Sequence, residues 1–271
     1  MDLREQRRER SNLDCLIERL ELEPTRDAAE IGTIRSLWRT GAQHRFNTEI
    51  ATWPTPRLIT SGWAAWCRRT DAGRKVIFLF LMPGDVITPA IASGVEGYGV
   101  VALTPLRTVD AGELLRGGAG GTWLAPRARA MIESADGDYR TYLLDHLTWL
   151  GDGGGTRNLA RLLLELHARL NATGRCIDDR MEIPVGQRIL AQALALSAVQ
   201  VNKILGQLRA RSILSSVRGS IRIDDIAALR RCASAAAKPG AVAGGHGNPA
   251  WQQPALNSWQ SDWLSVGAAI I

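Results

Sequence analysis

Apolar residues recur along the chain in distinct textures. Up to Arg39 they fall at helical spacing among charges, at Leu13, Ile17 and Leu20 and again at Ile31, Ile34 and Leu37. Glu23-Pro24-Thr25 divides that stretch, and because proline cannot continue a helix interior, two helices are predicted. From about Gln43 to Val109 the pattern turns to short β-rich runs at Arg57–Ile59, Gly62–Arg68, Lys75–Met82 and Tyr98–Leu103. Turn residues at Asp71-Ala72-Gly73, Pro83-Gly84-Asp85 and Gly94 part them. Short strands so spaced predict an antiparallel sandwich or roll.

Helical spacing returns over Arg127–Leu150, with Tyr139, Leu143, His146 or Leu147, and Leu150 on one stripe. That stripe fits a core face and a seam with a second copy equally well. A further helix is predicted over Thr156–Leu170, where Leu159, Leu162, Leu163, Leu166 and Leu170 form the apolar face. Gly151-Asp152-Gly153-Gly154-Gly155 separates the two as a hinge or a loop, since each glycine in a helix costs about 1 kcal/mol. After Ala233 the composition shifts to Ala, Gly and Pro, which reads as a flexible linker, and the end carries Trp251, Trp259 and Trp263.

The stretch between these regions carries the candidate chemistry. Gln187–Ala193 places Ile189, Leu190 and Ala193 at helical spacing, and Ala195-Leu196-Ser197 makes a short turn. Ser197 is suited to cap a second helix, because its hydroxyl accepts from the unpaired N–H groups of a first turn. That helix, Ala198–Arg211, should bury Val201, Ile204, Leu205 and Leu208, with small Ala191 where the two helices pass. Two short helices, a tight turn and this buried set are the pattern of a helix-turn-helix.

In such a unit the first helix lies across the DNA backbone and the N-terminal half of the second enters the major groove. The outward positions there are Ala198, Val199, Gln200, Asn202 and Lys203. Lys203 can donate to guanine O6 and N7 or to a phosphate, Gln200 and Asn202 can bond adenine edges or phosphates, and Val199 can touch a thymine methyl. Gln187 and Ser197 stand at helix N-termini, where backbone N–H groups favour phosphate. Ile213–Ile223 alternates around Arg218-Gly219 as a β-hairpin, a wing whose tip would reach the backbone or minor groove. Arg209 and Arg218 complete the candidate DNA-binding set.

Charge sharpens this picture. The formal net charge is +6, and residues 173–232 hold ten Lys/Arg against five Asp/Glu. Between Gly186 and Arg222 stand Arg188, Lys203, Arg209, Arg211, Arg218 and Arg222 with no carboxylate. Solvated faces usually mix signs, so a stretch of one sign suits phosphate. The chain is otherwise of ordinary globular composition, 45% hydrophobic and 22% charged. No run of eighteen apolar residues occurs, so no membrane span is expected. The N-terminal MDLREQRRERSNLD lacks the apolar stretch of a secretory signal, and a cytoplasmic location is expected.

Cys15, Cys67, Cys176 and Cys232 are scattered without a CxxC pair and read as idle thiols. His44, His146, His167 and His246 are dispersed, with no HExxH. The glycine stretches 117–122 and 151–155 lack the Gly-Lys-Ser/Thr ending of a phosphate loop. Neither an enzyme, a metal site nor a bound cofactor is expected.

On these motifs the chain resembles the Crp/Fnr family of bacterial regulators. IPVGQRILAQALALSAVQVNKILGQLRARSIL is similar to the family's helix-turn-helix, and IRIDDIAALRR to the end of its wing and last helix. GWAAWCRRTDAGRKVIFLFLMPGDVI is similar to its β-roll, and ARLLLELHARLNATG to the helix entering its DNA-binding domain. They stand in the family's order over roughly Gln43–Arg231. The resemblance implies an α+β fold: an N-terminal antiparallel β-roll of the cyclic-nucleotide-binding type, a long dimerisation helix and a C-terminal winged helix-turn-helix. The expected division is an N-terminal helical segment (1–42), the effector roll (43–126), dimerisation and connecting helices (127–172), the DNA-binding domain (173–232) and a flexible tail (233–271).

By the same resemblance the chain is a sequence-specific transcription regulator, a homodimer on double-stranded DNA with a two-fold symmetric operator. RNA polymerase is a further candidate partner. The family's base-reading positions fall on Ala198, Val199, Asn202 and Lys203; the first two lack the charged groups of the best-known members, so the operator is not carried over. The family's cyclic-nucleotide pocket uses an Arg followed by Ser/Thr, yet no arginine occurs between Asp85 and Arg107, so cyclic AMP is not expected to bind tightly. The cysteine cluster of oxygen-sensing members is missing, and Gly151–Gly155 falls where the family usually has a continuous helix. Ala195 stands at a turn position where glycine is common, at a cost of about 1–2 kcal/mol if φ is positive. The effector of the roll stays open. The competing reading is a family-like protein that has lost specific DNA binding and acts through protein contacts.

Overall fold

A computed structural model of the chain describes residues 12–44, 49–50, 54–71, 73–92, 97–116, 124–151, 154–172, 180–181, 183–217 and 220–234. Helical residues 12–19 (α1) and α2 (Ala28–Arg39) lie on either side of the Pro24 break. They bury Leu16, Ile17, Leu20, Ile31, Ile34 and Trp38, while Leu13 and Leu37 are half-buried.

Two four-stranded antiparallel sheets follow. The strands are β1 (Ala42–His44), β2 (Glu49–Ile50), β3 (Arg57–Ser61), β4 (Ala64–Arg69), β5 (Lys75–Leu81), β6 (Val86–Ile87), β7 (Tyr98–Ala102) and β8 (Leu106–Asp110). One sheet has the order β1-β8-β3-β6 and the other β2-β7-β4-β5. The sequence pattern located β3, β4, β5 and β7. It passed over β1, β2 and β6, which are too short for alternation to show. It also passed over β8, where Thr108 is buried beside Leu106 and Val109 and breaks the polar–apolar rhythm. Gly62, at φ +82°, is a position only glycine can hold: a Cβ there would stand 2.1 Å from the Pro105 carbonyl oxygen.

After α3 (Gly112–Leu115), the long α4 (Leu124–Gly151) lies on the roll. Tyr139 Oη donates to Val86 O at 2.6 Å, and Thr88 Oγ1 donates to Asp136 Oδ1 at 2.5 Å. Of the stripe read from sequence, Tyr139 and His146 are buried, Leu143 and Leu150 half-buried and Leu147 exposed. α4 ends at Gly151, and α5 (Gly155–Ala172) begins behind Gly154 at φ +107°. Gly155 allows close packing: a Cβ there would lie 3.0 Å from Ile204 Cδ1 and 3.1 Å from Leu196 Cδ1. Arg169 stands over the Tyr142 ring at 5.0 Å and Arg161 over Trp149 at 5.9 Å, so the two helices run back alongside one another.

The C-terminal elements are β9 (Arg180–Met181), α6 (Gln187–Leu194), α7 (Ala198–Ala210), β10 (Leu214–Val217), β11 (Ser220–Ile223) and α8 (Ile226–Ser234). The small sheet has the order β10-β11-β9. β9 covers only Arg180–Met181, and Ile183 beyond it is buried. One apolar cluster runs from Trp63, Ala65, Cys67 and Phe80 of the roll into Leu163 of α5 and Leu190 of α6. No single helix among the described residues is long and apolar enough to cross a membrane. Cys15, Cys67 and Cys232 are thiols, and Cys176 lies outside the described residues, as does the tryptophan-bearing tail.

Candidate nucleic-acid interface

The helix-turn-helix is built from local chemistry. α6 starts behind extended Gly186 and ends at Ala195, a left-handed residue at φ 52°, ψ 33° whose N–H donates to Ala191 O. An alanine in that region carries a steric cost of about 1–2 kcal/mol, which the motif bears to make its turn. Ser197 then caps α7. Its Oγ accepts from Gln200 N at 3.1 Å, and its own N–H donates to Gln200 Oε1 at 2.8 Å, a reciprocal capping box. The chain turns by 104° between the two helices. Val201, Ile204, Leu205 and Leu208 are buried, as their spacing predicted, together with Leu190, Ala191, Ala193 and Leu194 of α6, whereas Ile189 is only half-buried.

The opposite side of α7 faces outward. Val199 is 79% exposed, and Gln200, Asn202 and Lys203 are exposed beside it, as are Gln187 and Ser197. Ala198 departs from expectation: it is half-buried and packs on the apolar cluster, because the first turn of α7 leans onto the core. Gln187 Nε2 donates to Asn202 Oδ1 at 3.0 Å, joining the start of α6 to the middle of α7. Sequence reading missed this bond, since nothing local marks two amides fifteen residues apart.

The cations behave differently from one another. Lys203 is exposed, and Arg209 is half-buried near the far end of α7. Arg211 Nη1 turns toward Cys232 Sγ at 3.8 Å. Arg222 pairs with Asp224, which lies just beyond the acid-free stretch and also accepts from Ser215 Oγ at 3.1 Å. Arg222 is thus neutralised locally. Arg218, at the expected wing tip, lies outside the described residues.

Behind the motif lie two buried polar contacts. His146 Nε2 donates to Ala193 O at 2.8 Å; burial holds its pKa below the ordinary value, and that hydrogen bond opposes the shift more weakly. Arg169 pairs with Asp85 and Glu165 at 2.6 and 3.1 Å. Burial works against the Arg169 charge, but the two carboxylates outweigh it, while burial pushes the Glu165 carboxyl up. Among the described residues no group of three or more His, Cys, Asp or Glu side chains could hold a metal ion.

Residues 158–232 match the Crp-like helix-turn-helix domain. No curated protein matches the chain. Among solved structures, FixK2 from Bradyrhizobium japonicum is similar at 24% identity and a TM-score of 0.58, over 73% of this chain and 98% of that one. A CRP-family transcriptional regulator from Thermus thermophilus is similar at 18% identity and a TM-score of 0.52, over 73% and 100%. The c-di-GMP-responsive global regulator CLP of Xanthomonas campestris is similar at 15% identity and a TM-score of 0.52, over 72% and 99%. The shared fold covers the sheet-rich N-terminal region, the long helix and the C-terminal motif.

Proposed function

We propose, from a chain that carries a Crp-like helix-turn-helix domain on the fold of Crp/Fnr regulators, that it is a sequence-specific transcription regulator. It binds a two-fold symmetric operator as a homodimer, with the N-terminal half of α7 in the major groove of each half-site. The observation that carries this reading is the exposed row Val199, Gln200, Asn202 and Lys203 on a capped helix, within a stretch free of carboxylates. Gln187 and Ser197 stand at the helix starts for phosphate, with Arg209 and Arg218 as further cations. Ala198, half-buried, serves the packing more than the groove.

The dimer reading is supported by α4, where Leu144 and Leu147 are 59% and 53% exposed, three residues apart on one face. Apolar side chains so placed on a long helix suit a seam with a second copy. The roll, residues 43–126, is the effector domain in this proposal, and residues 173–232 are the winged unit. Its effector is not cyclic AMP, for no arginine stands between Asp85 and Arg107 to pair with a cyclic phosphate. A regulator of chromosomal DNA acts in the cytoplasm, and RNA polymerase is a further partner in this proposal.

Footprinting on duplexes retained from a random pool tests the reading. Two protected half-sites should appear about 34–36 Å apart, one helical turn, with no gain on adding cyclic AMP. Failure to retain any duplex at low salt would favour a protein that acts through protein contacts.

A further inference from the structure

The outward face of α7 has a chemical polarity that its amino-acid types alone do not give. Asn202 and Gln200 each carry one donor and one acceptor group. In the folded motif both acceptors are turned back into the protein: Asn202 Oδ1 receives Gln187 Nε2, and Gln200 Oε1 receives Ser197 N. The Ser197 hydroxyl oxygen is likewise engaged, by Gln200 N. Among the described residues nothing occupies Asn202 Nδ2, Gln200 Nε2 or Lys203 Nζ, and no carboxylate occurs between Gly186 and Arg222.

We propose that Gln187 is the positioning residue for Asn202: by holding the carboxamide oxygen it aims Nδ2, beside Lys203 Nζ and the Val199 methyl groups, at guanine and thymine edges. This inference rests on the DNA-binding reading above and goes on to its specificity. Guanine offers N7 and O6 as acceptors, and thymine offers O4 together with a methyl group that Val199 can cover. Cytosine offers an N4 donor, with which Asn202 Nδ2 and Lys203 Nζ, donors themselves, cannot pair. Reading adenine in the two-bond manner needs the oxygen and nitrogen of one carboxamide turned together onto N6 and N7. With its oxygen held by Gln187, Asn202 cannot make that turn. Loss of Gln187 would free the carboxamide to rotate, so Gln187 sets base preference through Asn202 without touching the base.

The test uses the full chain on a duplex selected from a random pool. Methylating guanine N7 should abolish retardation at positions inside the half-sites, and substituting uracil for thymine there should weaken it about fourfold, the loss of one methyl contact. Replacing adenine there by 7-deazaadenine should leave binding unchanged. Asn202→Ala should erase the interference at one base pair, and Gln187→Ala should admit adenine at that same pair. Both residues are exposed, so thermal unfolding of the two variants should match the wild type. Interference by 7-deazaadenine in the wild type that disappears in Asn202→Ala would overturn the inference. So would an unchanged base preference in Gln187→Ala. A wild-type chain that selects no duplex contradicts DNA reading itself, an outcome separate from both.

Discussion

Arg169 of α5 reaches Asp85 in the Pro83-Gly84-Asp85 turn of the roll, with 2.6 Å between Nη2 and Oδ2. The same nitrogen donates to Phe80 O at 2.9 Å, Nη1 pairs with Glu165 at 3.1 Å, and the Tyr142 ring lies 5.0 Å from the guanidinium carbon. One side chain thus ties the roll, the long helix and the helix that leads into the DNA-binding unit.

Arg169→Met should strand two carboxylates in that junction. Removing one partner of a buried pair typically costs about 3–5 kcal/mol. Chemical denaturation followed by tryptophan fluorescence measures the loss. A change below about 1 kcal/mol would mean that the pair behaves as a solvent-screened surface bridge.

His146 makes the packing of α4 on α6 sensitive to acid. Its folded pKa is depressed by burial, whereas the unfolded chain protonates near about 6.5. Below that pH the unfolded state binds the proton first, so stability falls as pH falls until the folded value is passed. Glu165 has the opposite sign: its raised pKa favours the folded state at low pH, and that contribution is lost as pH rises through the folded value. His146→Gln isolates the imidazole. The melting temperature of the wild type should exceed that of the variant near neutrality, and the gap should close on titrating below about pH 6.5.

The turn of the helix-turn-helix holds a strained residue and a cap that can be separated. Ala195→Gly removes a steric cost of about 1–2 kcal/mol and loses about 0.4–1 kcal/mol through the freer unfolded chain, so it should stabilise the protein by up to about 1 kcal/mol. Ser197→Ala breaks the capping box and should cost about 1 kcal/mol. Urea titrations of the two variants should shift in opposite directions.

Leu144 and Leu147 lie largely uncovered on α4. Leu147→Asp should therefore weaken self-association by about 2 kcal/mol or more while leaving the monomer fold intact. Sedimentation of both proteins over a concentration series checks this. Identical profiles would remove α4 as the seam.

The helix-turn-helix was legible in the sequence because its determinants are local. Val201, Ile204, Leu205 and Leu208 bury as their spacing demands, and Ser197 caps the helix it precedes. The roll was legible where strands run five residues or more and one face is apolar, as in β4 and β5. β1 at three residues and β6 at two offer no pattern to read. On α4 both faces carry large apolar residues, so periodicity alone could not separate Tyr139, Tyr142 and His146, which turn inward, from Leu144 and Leu147, which do not. Counting charge over a window overstated the free cations, because Asp224 just outside it bonds Arg222. The Gln187–Asn202 bond depends on how two helices cross, which no linear pattern records.

Titrating wild type and Lys203→Ala against a selected duplex and an unrelated one, across a range of salt, tests the role of α7 most directly. Wild-type affinity should fall linearly with the logarithm of salt concentration on both duplexes. If Lys203 reads a base, its loss should weaken binding to the selected duplex by about 1–3 kcal/mol and scarcely alter the unrelated one. An equal loss on both duplexes would reassign Lys203 to the phosphate backbone, and no retardation of either at low salt would contradict a DNA-reading α7 altogether.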